Sequence, residues 1–148
     1  MATEGMAGLQ GARMTREDID DFLYERGHGV LSLAHEGEAY GIPVSFGYDG
    51  QSLFFIFQRP SEASRKELFA ETTTRASFLA YEALETDDWT SVIVTGPLQG
   101  VDDERWQTLL EAIEDNAWFP SLFSQVDPRR DFLGFELSVE EATGIRAH

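Results

Sequence analysis

Ser64, Arg65 and Lys66 are the residues of this chain whose types and spacing most directly offer chemistry. A hydroxyl beside two cations suits a phosphate, because arginine presents a planar fork of donors and lysine a mobile point charge. Lys66 is the only lysine in the sequence. Together the three can hold a dianionic phosphomonoester partly shielded from water. The plain alternative is a solvated pair in which Arg65 or Lys66 meets Glu62 or Glu67. Other catalytic alphabets are missing. His28, His35 and His148 lack metal-binding spacing, each alone reads as a surface or turn residue, and no H-E-x-x-H, Walker loop, G-x-S-x-G or dinucleotide fingerprint occurs. Cysteine is absent, which excludes a thiolate nucleophile, a thiolate metal site and a disulfide framework. A zinc enzyme and a triad hydrolase are disfavoured, and no metal is expected.

The elements that must position this cluster follow from periodicity. Residues 1–14 are rich in Gly and Ala and read as a flexible leader, with a single domain over 15–148. Thr15, with Asp18 three residues on and apolar Ile19, Phe22 and Leu23, starts an amphipathic helix ending near Gly27 or Gly29. Val30 to Ala34 and Tyr40 to Tyr48 tend to alternate as half-buried strands about a turn at Glu36-Gly37-Glu38. After a turn at Asp49-Gly50, Ser52 to Gln58 carries a Leu-Phe-Phe-Ile-Phe run that fits a strand buried on both faces. These three strands read as an antiparallel meander.

The cluster itself falls in a helix over Ser61 to Thr72. Strands are expected at Arg75 to Glu82 and Trp89 to Val101, the second with a bulge or edge at Gly96-Pro97, because Pro97 has no N–H. Asp102 opens a helix with Trp106, Leu109, Leu110 and Ile113 on one face, and Phe132 to Val139 forms the last strand. Residues 116–131, with Trp118, Phe119, Leu122 and Phe123, fit neither pattern and are candidates to cover a pocket or a partner. About six strands in antiparallel runs with three helices favour α+β with a small barrel over a doubly wound sheet.

At 148 residues with 42% hydrophobic content, the chain is sized for one core. Acids outnumber bases 27 to 11, for a net charge of −16, so a surface built to grip nucleic acid is excluded. The paired acids Asp20-Asp21, Asp87-Asp88, Asp102-Asp103 and Glu140-Glu141, set against ten arginines and one lysine, point to a halophilic protein of a high-salt cytoplasm. There the Debye length of ~3 Å screens the self-repulsion. The alternative is a merely acidic protein of ordinary salt. No apolar run reaches the ~20 residues of a membrane helix, and Met1 to Arg13 lack a signal-peptide core, so a cytoplasmic protein without membrane partners is expected.

The order of features is more telling than any one of them: a buried strand, a Pro-containing turn, Ser-Arg-Lys, a helix, a strand, then Thr90-Ser91-Val92-Ile93-Val94-Thr95-Gly96. This order resembles the pyridoxamine 5′-phosphate oxidase-like family of flavin-binding split β-barrels, from about Thr15 to Val101, with a looser echo in the last strand and Glu140 to Gly144. The resemblance implies a six-stranded antiparallel split β-barrel with flanking helices, FMN as cofactor, and a homodimer with two flavin sites at its interface. It implies that Ser64, Arg65 and Lys66 take the phosphate. Pro43, Val44, Ser45 and Phe46 would offer backbone groups to the edge of the flavin ring. Ile56 and Phe57 would lie near the ring and the phosphate-bearing chain, and Ser91 would reach in from the other subunit.

Two departures matter. Gly41 and Phe46 stand where the true oxidases place cations, and Arg146-Ala147-His148, similar to their Arg-x-His substrate contact, follows a Thr143-Gly144 turn at a frayed end. Pyridoxamine phosphate oxidation is therefore not expected. The wider group includes nitroimidazole-reductase-like proteins, flavin reductases, haem-degrading relatives and deazaflavin users. The expected activity is FMN-dependent oxidoreduction of a small substrate by hydride or electron transfer, with Tyr40, Tyr48 and Trp89 as pocket-lining candidates and no proton donor assigned. The rivals are a non-catalytic flavin-binding or stress-related homodimeric module and a structural dimer without cofactor.

Overall fold

Helix α1 (Arg16–Arg26) begins where the Thr15 and Asp18 spacing predicts. Thr15 Oγ1 accepts from the Asp18 N–H at 3.1 Å, and Asp18 Oδ2 accepts from the Thr15 N–H at 3.4 Å. The helix start thus satisfies two leftover backbone donors reciprocally. Gly27, at φ 74°, ends the helix in the left-handed region where a Cβ is unfavourable. The computed structural model describes residues 11–58, 65–116 and 132–147, and for Gln58, Lys66 and Asn116 the backbone alone.

The strands are β1 (Ala12–Arg13), β2 (His28–His35), β3 (Glu38–Ser45), β4 (Gly47–Tyr48), β5 (Ser52–Gln58), β6 (Arg75–Glu85), β7 (Asp88–Gly100), β8 (Phe132–Ser138) and β9 (Glu141–Ala147). Helix α2 (Arg65–Thr72) precedes β6, and α3 (Asp103–Asn116) lies between β7 and the described start of β8. All pairings are antiparallel, in the order β3-β2-β6-β7-β8-β5-β4, with β9 joining β7 and β1. This is the expected α+β split barrel. The strand tally exceeds six because of the two-residue pieces β1 and β4 and because of β9.

The split occurs at Gly96-Pro97. One edge of β7 pairs with β6 from Asp88 to Pro97, while the other pairs with β9 over Trp89 to Thr95 and with β8 over Leu98 to Gly100. Between these partners the chain joining β8 to β9 crosses closely, and a Cβ on Gly96 would stand 1.8 Å from the Ser138 carbonyl oxygen. The crossing is pinned by the Glu140 N–H, which donates to the Thr95 carbonyl at 3.0 Å. Of the bulge or edge expected at Pro97, the bulge is not there, since the register shift of the β6 pairing lies between Ala83 and Glu85, and the edge is the gap between the β9 and β8 partners. Pro97 is accommodated because the change of partner leaves its missing N–H without a ladder position to fill.

The expected meander is corrected. β2 and β3 form a hairpin, but β5 takes β8 as its long neighbour and keeps only Gly47 and Tyr48 of the preceding segment. The chain leaves β3 at Phe46, whose N–H donates to the Gly27 carbonyl at 3.0 Å, and passes to the second half of the barrel. Residues 46–48 are all buried, which breaks the alternation that one continuous strand would need. β5 is buried on both faces as predicted: Leu53, Phe55 and Phe57 enter the main core, whereas Phe54 and Ile56 pack with Trp106, Leu109, Ala112 and Ile113 of α3.

Two terminal expectations also change. The Thr143-Gly144 turn and frayed end are instead strand β9, paired with β7 at seven positions. Within the leader read over 1–14, Ala12 and Arg13 pair with Arg146 and Ile145, and the Met14 N–H donates to the Gly144 carbonyl at 2.8 Å, so this part of the segment is tied down. The aromatic residues Trp118, Phe119, Leu122 and Phe123 lie outside the described residues. Among the described residues, no helix is long and apolar enough to cross a membrane.

Candidate functional site

The registers set rows of side chains across the outer face of the sheet. Pro43, Val30, Leu79, Ile93 and Thr143 stand side by side on β3, β2, β6, β7 and β9, and Tyr81, Ser91 and Ile145 form the next row. Their chain neighbours Leu31, Phe78, Ala80, Val92 and Val94 point into the core. The outer rows are therefore apolar residues left in contact with water: Tyr81 is 50% exposed, Ile93 45% and Ile145 43%.

Two cavities flank Tyr81. One, of about 660 Å³, is lined by Arg26, His28, Val30, Pro43 and Glu82 besides Tyr81 itself. The other, of about 470 Å³, is lined by Leu79, Trp89, Thr90 and Ser91. Arg26 Nη1 donates to Glu82 Oε2 at 3.1 Å, so the polar end of the first cavity holds an ion pair. A third cavity of about 520 Å³ lies elsewhere, between Trp106 of α3, Leu98 of β7 and Leu133 and Phe135 of β8.

β3 ends the sheet, and its second edge pairs with no strand among the described residues. The two-residue turn at Glu36 (φ 50°) and Gly37 (φ 79°) makes His35 and Glu38 a hydrogen-bonded pair. By antiparallel alternation, Pro43 and Ser45 then aim their backbone polar groups away from β2. Proline fits there, since no ladder bond is lost.

Arg65 stands near the hairpin-tip end of β3. Its guanidinium carbon lies 5.5 Å from the Tyr40 ring centroid and 5.3 Å from that of Phe69, a cation held against aromatic faces. Its Nη2 donates to the Glu38 carboxylate. This partner comes from the β2–β3 hairpin rather than from the helix, and Glu62 and the Lys66 side chain lie outside the described residues. His35 approaches Phe69 edge-on at 5.7 Å, so it belongs to this aromatic corner and, like His28, lies in β2 rather than in a turn.

The other implied residues separate into groups. Pro43 and Ser91 reach the outer-face cavities. Val44 packs partly against the main core, and Phe46 is fully buried, edge to face with Phe78 at 4.8 Å and with its N–H already engaged. Ile56 and Phe57 face opposite sides of β5, the first under α3 and the second beside Phe135 at 5.3 Å. Lys66 is in the first turn of α2, and Ser64 lies outside the described residues.

Among the pocket-lining candidates, Trp89 reaches a cavity and Tyr40 supports Arg65. Tyr48 is core: its hydroxyl donates to Asp20 Oδ1 at 2.6 Å, and burial, followed by that bond, pushes its pKa up to about 12. Tyr81 was missed. Its signal was present in Ser77, Leu79 and Tyr81, which make the outer side of β6 partly apolar as well as the inner one.

A model of the pyridoxamine 5′-phosphate oxidase family matches residues 15–146, and the chain belongs to that family. No curated protein matches it. Among solved structures, it is similar to an FAD-binding protein from Mesorhizobium loti, with 20% identity, a TM-score of 0.68, and coverage of 93% of this chain and 98% of that one. An FAD and haem binding protein from Mycobacterium smegmatis gives 15% identity and a TM-score of 0.71, over 90% of this chain and 72% of that one. An FAD-binding protein from the same organism gives 17% and 0.69, over 93% and 98%. At these identities the likeness is one of fold.

Proposed function

We propose that this chain is an FMN-dependent oxidoreductase that binds its flavin along the outer edge of β3 and works as a homodimer closed across the outer sheet face. The observation that carries this reading is the guanidinium of Arg65, steadied by two rings at the edge of a strand whose Pro43 and Ser45 direct backbone polar groups outward. From Tyr40 to Pro43 the strand rises roughly 10 Å, a span that a ribityl phosphate can bridge.

The residues present fit a flavin. Ser64, Arg65 and Lys66 would hold the phosphate, the β3 edge would meet the polar rim of the ring, and Val30, Leu79 and Tyr81 offer an apolar slab. Pro43 and Ser45 carry the edge contacts, since the Phe46 N–H is engaged. Ile56 and Phe57, buried on opposite faces of β5, stand apart from this surface. Ser91 would serve the partner subunit's site. A single Arg-Lys cluster matches one terminal phosphate, which favours FMN; relatives described as FAD-binding support a flavin in general.

When bound, a flavin supplies hydride or electron transfer. The chain's own part is to orient it, exclude water through the apolar rows, and present its open face to a small planar substrate. The paired acids and single lysine support a high-salt cytoplasmic setting.

Flavin-loaded protein should be reduced by NADH or NADPH and reoxidised by an added acceptor, and should sediment as a dimer. Bound flavin that never turns over would make the chain a carrier or stress-related module. Monomeric protein would refute the shared site.

A further inference from the structure

We propose that Glu38 is an internal competitor for the phosphate site, a carboxylate that occupies Arg65 until a phosphate replaces it. The inference rests on the assignment of Arg65 to the phosphate and adds a residue that sets how tightly an anionic ligand is held.

Arg65 is secured in two independent ways. Its guanidinium carbon lies over the Tyr40 and Phe69 rings, and its Nη2 donates to Glu38. A phosphate needs the donors and leaves the ring contacts alone, so exchange of one anion for the other keeps the cation in place. Glu38 cannot move far. It pairs with His35 directly after the Glu36-Gly37 turn, so its Cα is fixed by the hairpin and only its side chain can swing. The two side chains are 60% and 56% exposed, so the pair is weak enough for a dianion to displace. After displacement, the carboxylate remains beside a phosphate of like charge.

The consequence is a penalty on phosphate-bearing ligands alone. Equilibrium titrations with FMN and with riboflavin, which has the same ring and ribityl chain but no phosphate, isolate it. Glu38→Gln should tighten FMN by about two- to five-fold and leave riboflavin unchanged. The gain should fade toward unity at molar salt, where screening acts over ~3 Å. Glu38→Ala provides a second variant, and circular dichroism checks the fold of each.

If Glu38→Gln and Glu38→Ala leave FMN affinity unchanged, or weaken it, while Arg65→Ala weakens FMN but not riboflavin, the competitor role is overturned and the phosphate assignment stands. If Arg65→Ala and Lys66→Ala affect FMN and riboflavin alike, the phosphate assignment fails and the competitor role fails with it.

Discussion

Arg146 of β9 reaches Asp18 of α1, with its Nη2 3.1 Å from Oδ2, the oxygen that also caps the start of the helix. The arginine that sequence similarity would assign to substrate is thereby tied into the scaffold. Arg146→Ala should lower stability by about 0.5 kcal/mol, the scale of a half-exposed ion pair, and leave FMN affinity unchanged. Lys66→Ala should weaken FMN by roughly ten-fold, as loss of a charge-assisted phosphate contact does. Thermal melts and flavin titrations of both variants check the contrast; equal FMN affinities would refute it.

Gly96 is where β7 changes partner. Gly96→Ala places a Cβ against the Ser138 carbonyl, an obstacle made of backbone that no rotamer change relieves. A loss of about 3 kcal/mol or more is expected in urea unfolding, with a cooperative transition retained. A cost below about 1 kcal/mol would show that the β8–β9 crossing is looser than described.

Tyr48 couples α1 to the turn before β5, because its hydroxyl serves Asp20 and also approaches the Gly50 carbonyl at 3.2 Å. Its pKa rises from 10.0 to about 12 on folding, so the native state holds the proton more tightly. This contribution is complete below pH 10 and is lost as pH climbs through the window toward 12. Tyr48→Phe should cost about 1–2 kcal/mol at neutral pH and flatten that alkaline decline in melting temperature. An unchanged alkaline slope would assign the decline to another group.

The excess of 16 negative charges predicts a strong response to salt. Melting temperature should rise by roughly 10 °C between dilute buffer and about 2 M KCl, as self-repulsion is screened. A flat response would mean that the acidity is incidental.

Much of this architecture was legible in the residues. Thr15, Asp18 and Gly27 are local signals for local structure, and α1 has the bounds they imply. The unbroken Leu53 to Phe57 run announced two-sided burial because both faces of β5 are covered. β9 was not legible. Its inward residues Ala142 and Gly144 are small and its outward Glu141 and Thr143 polar, so the strand is specified by β7 rather than by its own pattern. The partner of β5 was equally hidden, since Phe135 and Leu137 lie across a long sequence gap.

The site divides in the same way. The Ser-Arg-Lys cluster is a contiguous chemical signal. The Tyr40–Phe69 platform, the Glu38 contact and the outer row through Tyr81 exist only once strands and α2 are brought together.

The most direct measurement is the absorption spectrum of freshly isolated protein, with the flavin released and quantified against protomer. The account predicts yellow protein with the two bands of oxidised flavin, FMN as the released compound, and one flavin per protomer after reconstitution. Colourless protein that takes up no FMN, even in molar salt, would contradict it.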